Sequence, residues 1–258
     1  MSALHTAYLK FKRALPDWAR DGLSAINQRF FARRTLQRQY GSWFDVDWRK
    51  KFHSLSEAEW RRAYDEVWKH HRNDCVEETD AAMILAALGE PGSVLEAGCG
   101  MGTLAIKLAQ AGFQVTGLDV SDVALQFAKQ RAIEAGLQIA WKAGFAENIP
   151  FPDKIFDYVT CCHTLEHVKD LSRAAAELKR VARKKIVVLV PKQKFRLYAD
   201  TYHTQFFERQ DQLVEAFGLT RHQCQEIDCR DHQNEFQGRA WLYVGILNSL
   251  STDQLTGR

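Results

Sequence analysis

A chain of 258 residues is long enough for one well-buried domain with an extension, and too short for two full-sized ones. Its composition, 46% hydrophobic and 26% charged, is that of an ordinary globular protein, and a net charge of +3 does not by itself imply a nucleic-acid partner. The best apolar run, IVVLV at 186–190, is too short to cross a bilayer, and the first residues lack the unbroken apolar stretch of a secretory leader.

In chain order, residues 1–90 read as a helical extension, aromatic and basic. Leu4, Tyr8, Phe11, Leu15 and Trp18 fall on one stripe at helical spacing. Residues 1–40 carry eight Lys or Arg against two acids. Ser56 with Glu59 makes a capping box, and Trp60, Tyr64, Val67 and Trp68 follow on one face.

From residue 91 to about 250 short β-rich runs alternate with helical patterns. SVLEA (93–97) precedes TLAIKLAQAG, and QVTGLD (114–119) precedes SDVALQFAKQRAIEAG. QIAWKA (138–143) leads into a loop with two prolines, and FDYVTCC (156–162) precedes LSRAAAELKRVA. KKIVVLV (184–190) is followed by a loop and the helical run TQFFERQDQLVEAFG. HQCQEIDCR and RAWLYVGIL close the pattern as an antiparallel hairpin. Ser121 and Asp122 start a helix, and Gly112, Gly136 and Gly218 stop helices. Such alternation specifies an α/β fold: a mostly parallel sheet with helices on both faces. The six cysteines lack C-x-x-C pairs and read as reduced thiols of a cytoplasmic protein.

The segment VLEAGCGMGTLAIKLAQAG places Glu96, Gly98, Gly100 and Gly102 between a strand and a helix. Glycines there let backbone approach a ligand at a helix N-terminus. A dinucleotide fingerprint, G-x-G-x-x-G, requires glycine at 103, where this chain has threonine. The carboxylate of Glu96 would also repel a pyrophosphate. It suits a ligand bearing an ammonium and a sulfonium, S-adenosylmethionine (SAM), and Asp119 at the end of the second strand suits its ribose.

With those residues in view, the run from Val94 to about Leu219 resembles a class I SAM-dependent methyltransferase of the small-molecule type that includes quinone-biosynthesis methyltransferases. VLEAGCGMG, VTGLDVS, AENIPFPDKIFDYVTCCHTLEHV and HTQFFERQDQLVEAFGL carry the likeness. It implies a Rossmann-like seven-stranded sheet in order 3-2-1-4-5-7-6. It also implies that Glu96 holds the methionine end of SAM, that Gly98, Cys99 and Gly100 line the loop, and that Asp119 takes the ribose hydroxyls. Val120 then packs on the adenine and Ala146 offers it a backbone N–H. One position departs from the pattern: Phe145 stands where an acid commonly meets the adenine amino group.

CCHTLEHV follows the fourth strand, at the carboxyl edge where open α/β sheets bind ligands. Cys162 and His163 are therefore expected beside the cofactor. The H-x-x-E-H spacing of His163, Glu166 and His167 also occurs in zinc peptidases, but a long helix and a third ligand are missing from the pattern, so no metal is expected. His163 and His203 are the candidate general bases, and Trp68, His167, Tyr198 and Tyr202 are expected around the acceptor. The function expected is methyl transfer to a small-molecule or lipid-like acceptor. A SAM-binding partner subunit without catalysis and an NAD-dependent reductase are the alternatives. The basic N-terminal helices admit peripheral contact with anionic lipid, and no RNA-binding module surrounds them.

Overall fold

The computed structural model describes residues 30–70, 76–228 and 238–247, with positions 15, 16, 19, 22, 26 and 27. Most of the stripe from Leu4 to Trp18 lies outside the described residues. The chain forms two compact units, residues 1–51 with 196–202 and residues 52–195 with 203–258.

In the first unit α1 (Ala32–Tyr40) and α2 (Trp48–Lys51) flank an aromatic cluster. Tyr202 packs edge-on against Phe44 and Trp48, and its hydroxyl accepts the Asp45 N–H at 2.9 Å. Asp47 accepts two hydrogen bonds from Arg33 and pairs with Lys50, which holds its carboxyl down at about 2.

The second unit opens with a 3₁₀ turn (Phe52–Ser54), α3 (Glu57–His70) and α4 (Glu78–Leu88). The expected capping box is present: Ser56 Oγ accepts the Glu59 N–H, and the Glu59 carboxylate accepts from the Ser56 N–H and hydroxyl, across the first turn of α3. The sheet follows, with β1 (Ser93–Ala97), β2 (Gln114–Asp119), β3 (Ala140–Ala143), β4 (Phe156–Cys162), β5 (Ala182–Pro191), β6 (His222–Asp228) and β7 (Arg239–Ile246). Its order is β3-β2-β1-β4-β5-β7-β6. The first five strands run parallel and β7 is antiparallel to both neighbours. The connecting helices are α5 (Thr103–Gln110), α6 (Asp122–Glu134), α7 (Leu171–Val181) and α8 (Asp211–Phe217).

Alternation along the strands sorts the core onto two faces. Leu95, Val159, Ile186 and Val188 meet α7 and α8 through Leu178 and Phe217. Val94, Tyr158, Cys162 and Leu189 meet α4 and α5 through Ile84, Leu104 and Leu108. Glu96, two residues beyond Val94, shares that second face. This packing explains why α4 belongs to the sheet unit: it buries Ala81, Ile84 and Leu88 there.

One predicted helix is shorter than its pattern. TQFFERQ does not continue α8 upstream: Thr204 and Gln205 give their N–H groups to the Glu166 carbonyl at 2.7 and 3.0 Å, and the Phe207 carbonyl accepts the Gln193 N–H, so the segment is held extended beside the end of β5. The segment after β4 likewise forms only a 3₁₀ turn, Leu165–His167, before Asp170 caps α7.

Candidate active site at the carboxyl edge of the sheet

The loop from β1 into α5 is shaped by its glycines. At Gly98 φ is +78°, and a Cβ there would lie 2.1 Å from Thr164 Oγ1. Gly102 caps α5 in the left-handed region, where a Cβ would meet Trp141 at 2.8 Å. Gly98 and Cys99 donate their N–H groups to the Leu118 carbonyl at the end of β2. Asp119 is buried, and each of its oxygens accepts one backbone N–H at 2.8 Å, from Gly100 and from Ser121. A carboxylate offers about four lone-pair sites, so this arrangement fixes the group and keeps capacity for a diol.

Negative charge concentrates on the α4 face. Asp80, Glu96 and Glu166 are each no more than 2% exposed. Burial pushes the Cys162 thiol well above its usual range, and these three carboxylates add to the effect. Cys162 is therefore a neutral wall of the site, not a nucleophile. A region with three buried acids and one imidazole suits a cationic ligand and disfavours a pyrophosphate.

His163 lies inside this charge cluster. Its φ is +49°, its N–H continues the ladder to Leu189, and its side chain is 7% exposed. Nε2 is 3.7 Å from Asp80 and Nδ1 is 3.5 Å from Glu166. Burial favours the neutral ring, but the two carboxylates outweigh it and raise the pKa to about 9. At neutral pH His163 holds its proton between two acids, a geometry that opposes the expected role of general base.

The other two histidines meet where sequence order gives no hint of it. The Glu166 carbonyl, Val168 carbonyl and Thr204 side chain fasten residues 203–205 to the 165–167 turn. His203 is thereby set edge-on to His167, ring centroids 4.7 Å apart, with the Gln193 amide at its Nδ1. Tyr64 of α3 lies edge-on to the other side of His167 and stacks obliquely with Trp60. Glu166, His167 and His203 bring ligand atoms within 4.8 Å of one another, a set able to hold a metal ion. The H-x-x-E-H spacing pairs His163 with His167, whereas the fold brings His167 together with Glu166 and with His203 from the far end of a loop.

Of the expected acceptor residues, Trp68 is half-buried on α3. Tyr202 belongs to the first unit, where its buried ring packs edge-on against Phe44 and Trp48. Tyr198 belongs to the same unit and lies under the Lys50 ammonium at 5.0 Å. Residues missed by sequence reasoning include Asp80, Thr164 and Arg61. Thr164 bridges the Gly98 and Cys162 carbonyls through its hydroxyl. A groove of about 750 Å³ at the opposite, amino edge is lined by Gln114, Ile133, Ile139 and Ile155. It lacks the buried acids and histidines of the carboxyl edge.

Residues 95–190 match the family model described as a methyltransferase domain. The chain is 38% identical over 91 residues to a ubiquinone biosynthesis O-methyltransferase of Alkalilimnicola ehrlichii, covering 35% of this chain and 37% of that protein. It is 36% identical over 134 residues to one from Stutzerimonas stutzeri, covering 50% and 56%. The matches thus span between about a third and about half of these relatives' length. Among solved structures, a SAM-dependent methyltransferase from Aquifex aeolicus aligns with a TM-score of 0.53 and 17% identity, over 75% of this chain and 99% of that one. The buried Glu96, the Gly98 cradle and the oriented Asp119 fit the same cofactor. The chain carries a class I SAM-dependent methyltransferase domain, similar to quinone-biosynthesis methyltransferases, with SAM as its cofactor.

Proposed function

We propose that the protein transfers a methyl group to a hydroxyl of a small or lipid-like molecule, with His203 as general base. The observation that carries this reading is the seating of residues 203–205 on the Glu166 carbonyl, which presents His203 and His167 together at the tip of β4. That tip is tied to the glycine loop by Thr164. The two relatives named above are O-methyltransferases, which supports an oxygen acceptor.

In this reading Glu96 faces the methionine end of the cofactor, Asp119 the ribose, and Val120, Phe145 and Ala146 the adenine. The bound cofactor supplies an activated methyl on a sulfonium. The protein aligns the acceptor oxygen with it, a contribution of roughly 7–11 kcal/mol from positioning. His203 removes the hydroxyl proton at Nε2 with Nδ1–H hydrogen-bonded to Gln193, a pairing that requires the amide turned so that its oxygen faces the ring in place of the amide nitrogen that stands there. His163, already protonated, holds Asp80 and Glu166 in place. Trp60 and Tyr64 wall the acceptor beside His167.

The test is transfer of labelled methyl from SAM into the organic-soluble fraction of a cell extract, with wild-type and His203→Ala protein. Label incorporated by the wild type and lost with His203→Ala supports the reading. Binding of S-adenosylhomocysteine without any label points instead to a non-catalytic partner subunit.

A lipid-like acceptor has one further support. Ile26, Phe30 and Phe31 are 53–60% exposed, near Arg34 and Arg38. Exposed apolar groups beside cations are the composition of a peripheral lipid contact. Flotation with anionic vesicles at low and high salt tests it; protein that stays with neither vesicle sample refutes it. Among the described residues no helix is long and apolar enough to cross a membrane.

A further inference from the structure

The adenine end of the site poses a chemical problem. Phe145 has no hydrogen-bonding side chain, and Val120 has none either. Yet a polar side chain reaches this place from α3. Arg61 Nη1 donates to the Val120 carbonyl at 2.7 Å, and the guanidinium lies 5.6 Å from the centre of the Phe145 ring. Its approach is fixed from both sides. Asp122 is 3.7 Å from Nη1. One helical turn along α3, Asp65 accepts hydrogen bonds from Ser121 Oγ at 2.6 Å and Val123 N–H at 3.3 Å. Residues 61 and 65 share a helix face, so the two contacts clamp α3 onto the turn between β2 and α6.

We propose that Arg61 is the residue that recognises the adenine ring, from the face opposite the sheet. The inference rests on the cofactor placement given under Proposed function and adds a specificity that placement does not contain. An acid at position 145 would accept a hydrogen bond from the 6-amino group. A guanidinium has five donors and no acceptor. It reads the ring nitrogens, which are acceptors, and is indifferent to the amino group. It also lies within cation–π range of the Phe145 ring, so one side chain supplies the polar contact and holds its neighbour in the slot. Recognition at this site is therefore inverted: the ring is chosen by its acceptors, and α3 must be seated for the choice to operate.

Titration calorimetry on the full-length protein tests this with S-adenosylhomocysteine, its analogue lacking the 6-amino group, and its 1-deaza, 3-deaza and 7-deaza analogues. For the wild type, loss of the amino group is expected to weaken binding less than about threefold, and loss of one ring nitrogen by roughly tenfold or more, the size of a hydrogen bond to a charged group. Arg61→Met is expected to bind the parent compound at least about tenfold more weakly and to show no penalty for that deaza analogue. Arg61→Lys, which keeps the charge and α3 packing, is expected to restore part of the affinity. Three results overturn the proposal: Arg61→Met binding within twofold of wild type, the largest penalty falling on the missing amino group, or Arg61→Met weakening every analogue by the same factor. The last would make Arg61 a fastener of α3 only. A wild type that binds none of these compounds would instead refute the cofactor placement itself, and this inference with it.

Discussion

The two halves of the carboxyl edge are built in different materials. Around β1 and β2 the site is mostly backbone: glycines in left-handed conformations, N–H groups turned to Leu118 and Asp119, and one strand-end carboxylate. Around β4 and β5 it is mostly side chains, with His163 between two acids and His167 against His203. Backbone sites demand particular residues at short spacings. Side-chain sites can draw their members from anywhere in the chain. The comparison predicts that damage to the first half appears as lost cofactor affinity, and damage to the second as lost turnover or stability.

His203→Ala offers the sharpest break. Turnover at saturating cofactor should fall about 10²–10⁴-fold, the usual worth of a general base, with S-adenosylhomocysteine affinity within about twofold of wild type. An equal fall in affinity would erase the distinction between the halves. Dialysis against a chelator sharpens the same point, because a histidine base predicts an unchanged rate and a cation held by Glu166, His167 and His203 predicts a loss.

Glu166→Gln comes next. It leaves a buried imidazolium facing only Asp80, and loss of one partner from a buried ion pair typically costs about 3 kcal/mol or more, measurable as a lower denaturant midpoint. Gly98→Ala addresses the first half. With φ at +78° and Thr164 in the way of a Cβ, about 2 kcal/mol of strain should weaken cofactor binding roughly thirtyfold, with less effect on unfolding.

The last test is a pH dependence. His163 has a folded-state pKa near 9, above its usual value because Asp80 and Glu166 together outweigh burial. Its stabilising contribution is therefore complete below about pH 6.5 and lost as pH rises through 9. Thermal melts across pH 6–9.5 should show the decline, and His163→Gln should flatten it.

This difference in materials also explains what the sequence disclosed. SVLEA, QVTGLD and FDYVTCC match their strands residue for residue, since short apolar runs buried on both sheet faces mark them. Glu96 and Asp119 were legible because the glycines locate them. The partnership of His167 with His203 was not, because a carbonyl at 166 accepting from residues 204 and 205 leaves no mark in spacing or composition. Nor was Asp80, which as a sequence feature is only a polar residue near a helix start. Nor does the sequence mark the boundary at Tyr202, which is adjacent to His203 yet belongs to the other compact unit.

The Thr164 hydroxyl, shared between the carbonyls of residues 98 and 162, acts as a rivet through the tips of two adjacent strands. A rivet removes a degree of freedom: donor and acceptor platforms cannot drift apart as the molecule breathes. Any change to the turn after β4 is then felt in the glycine loop as well, since one hydroxyl serves both.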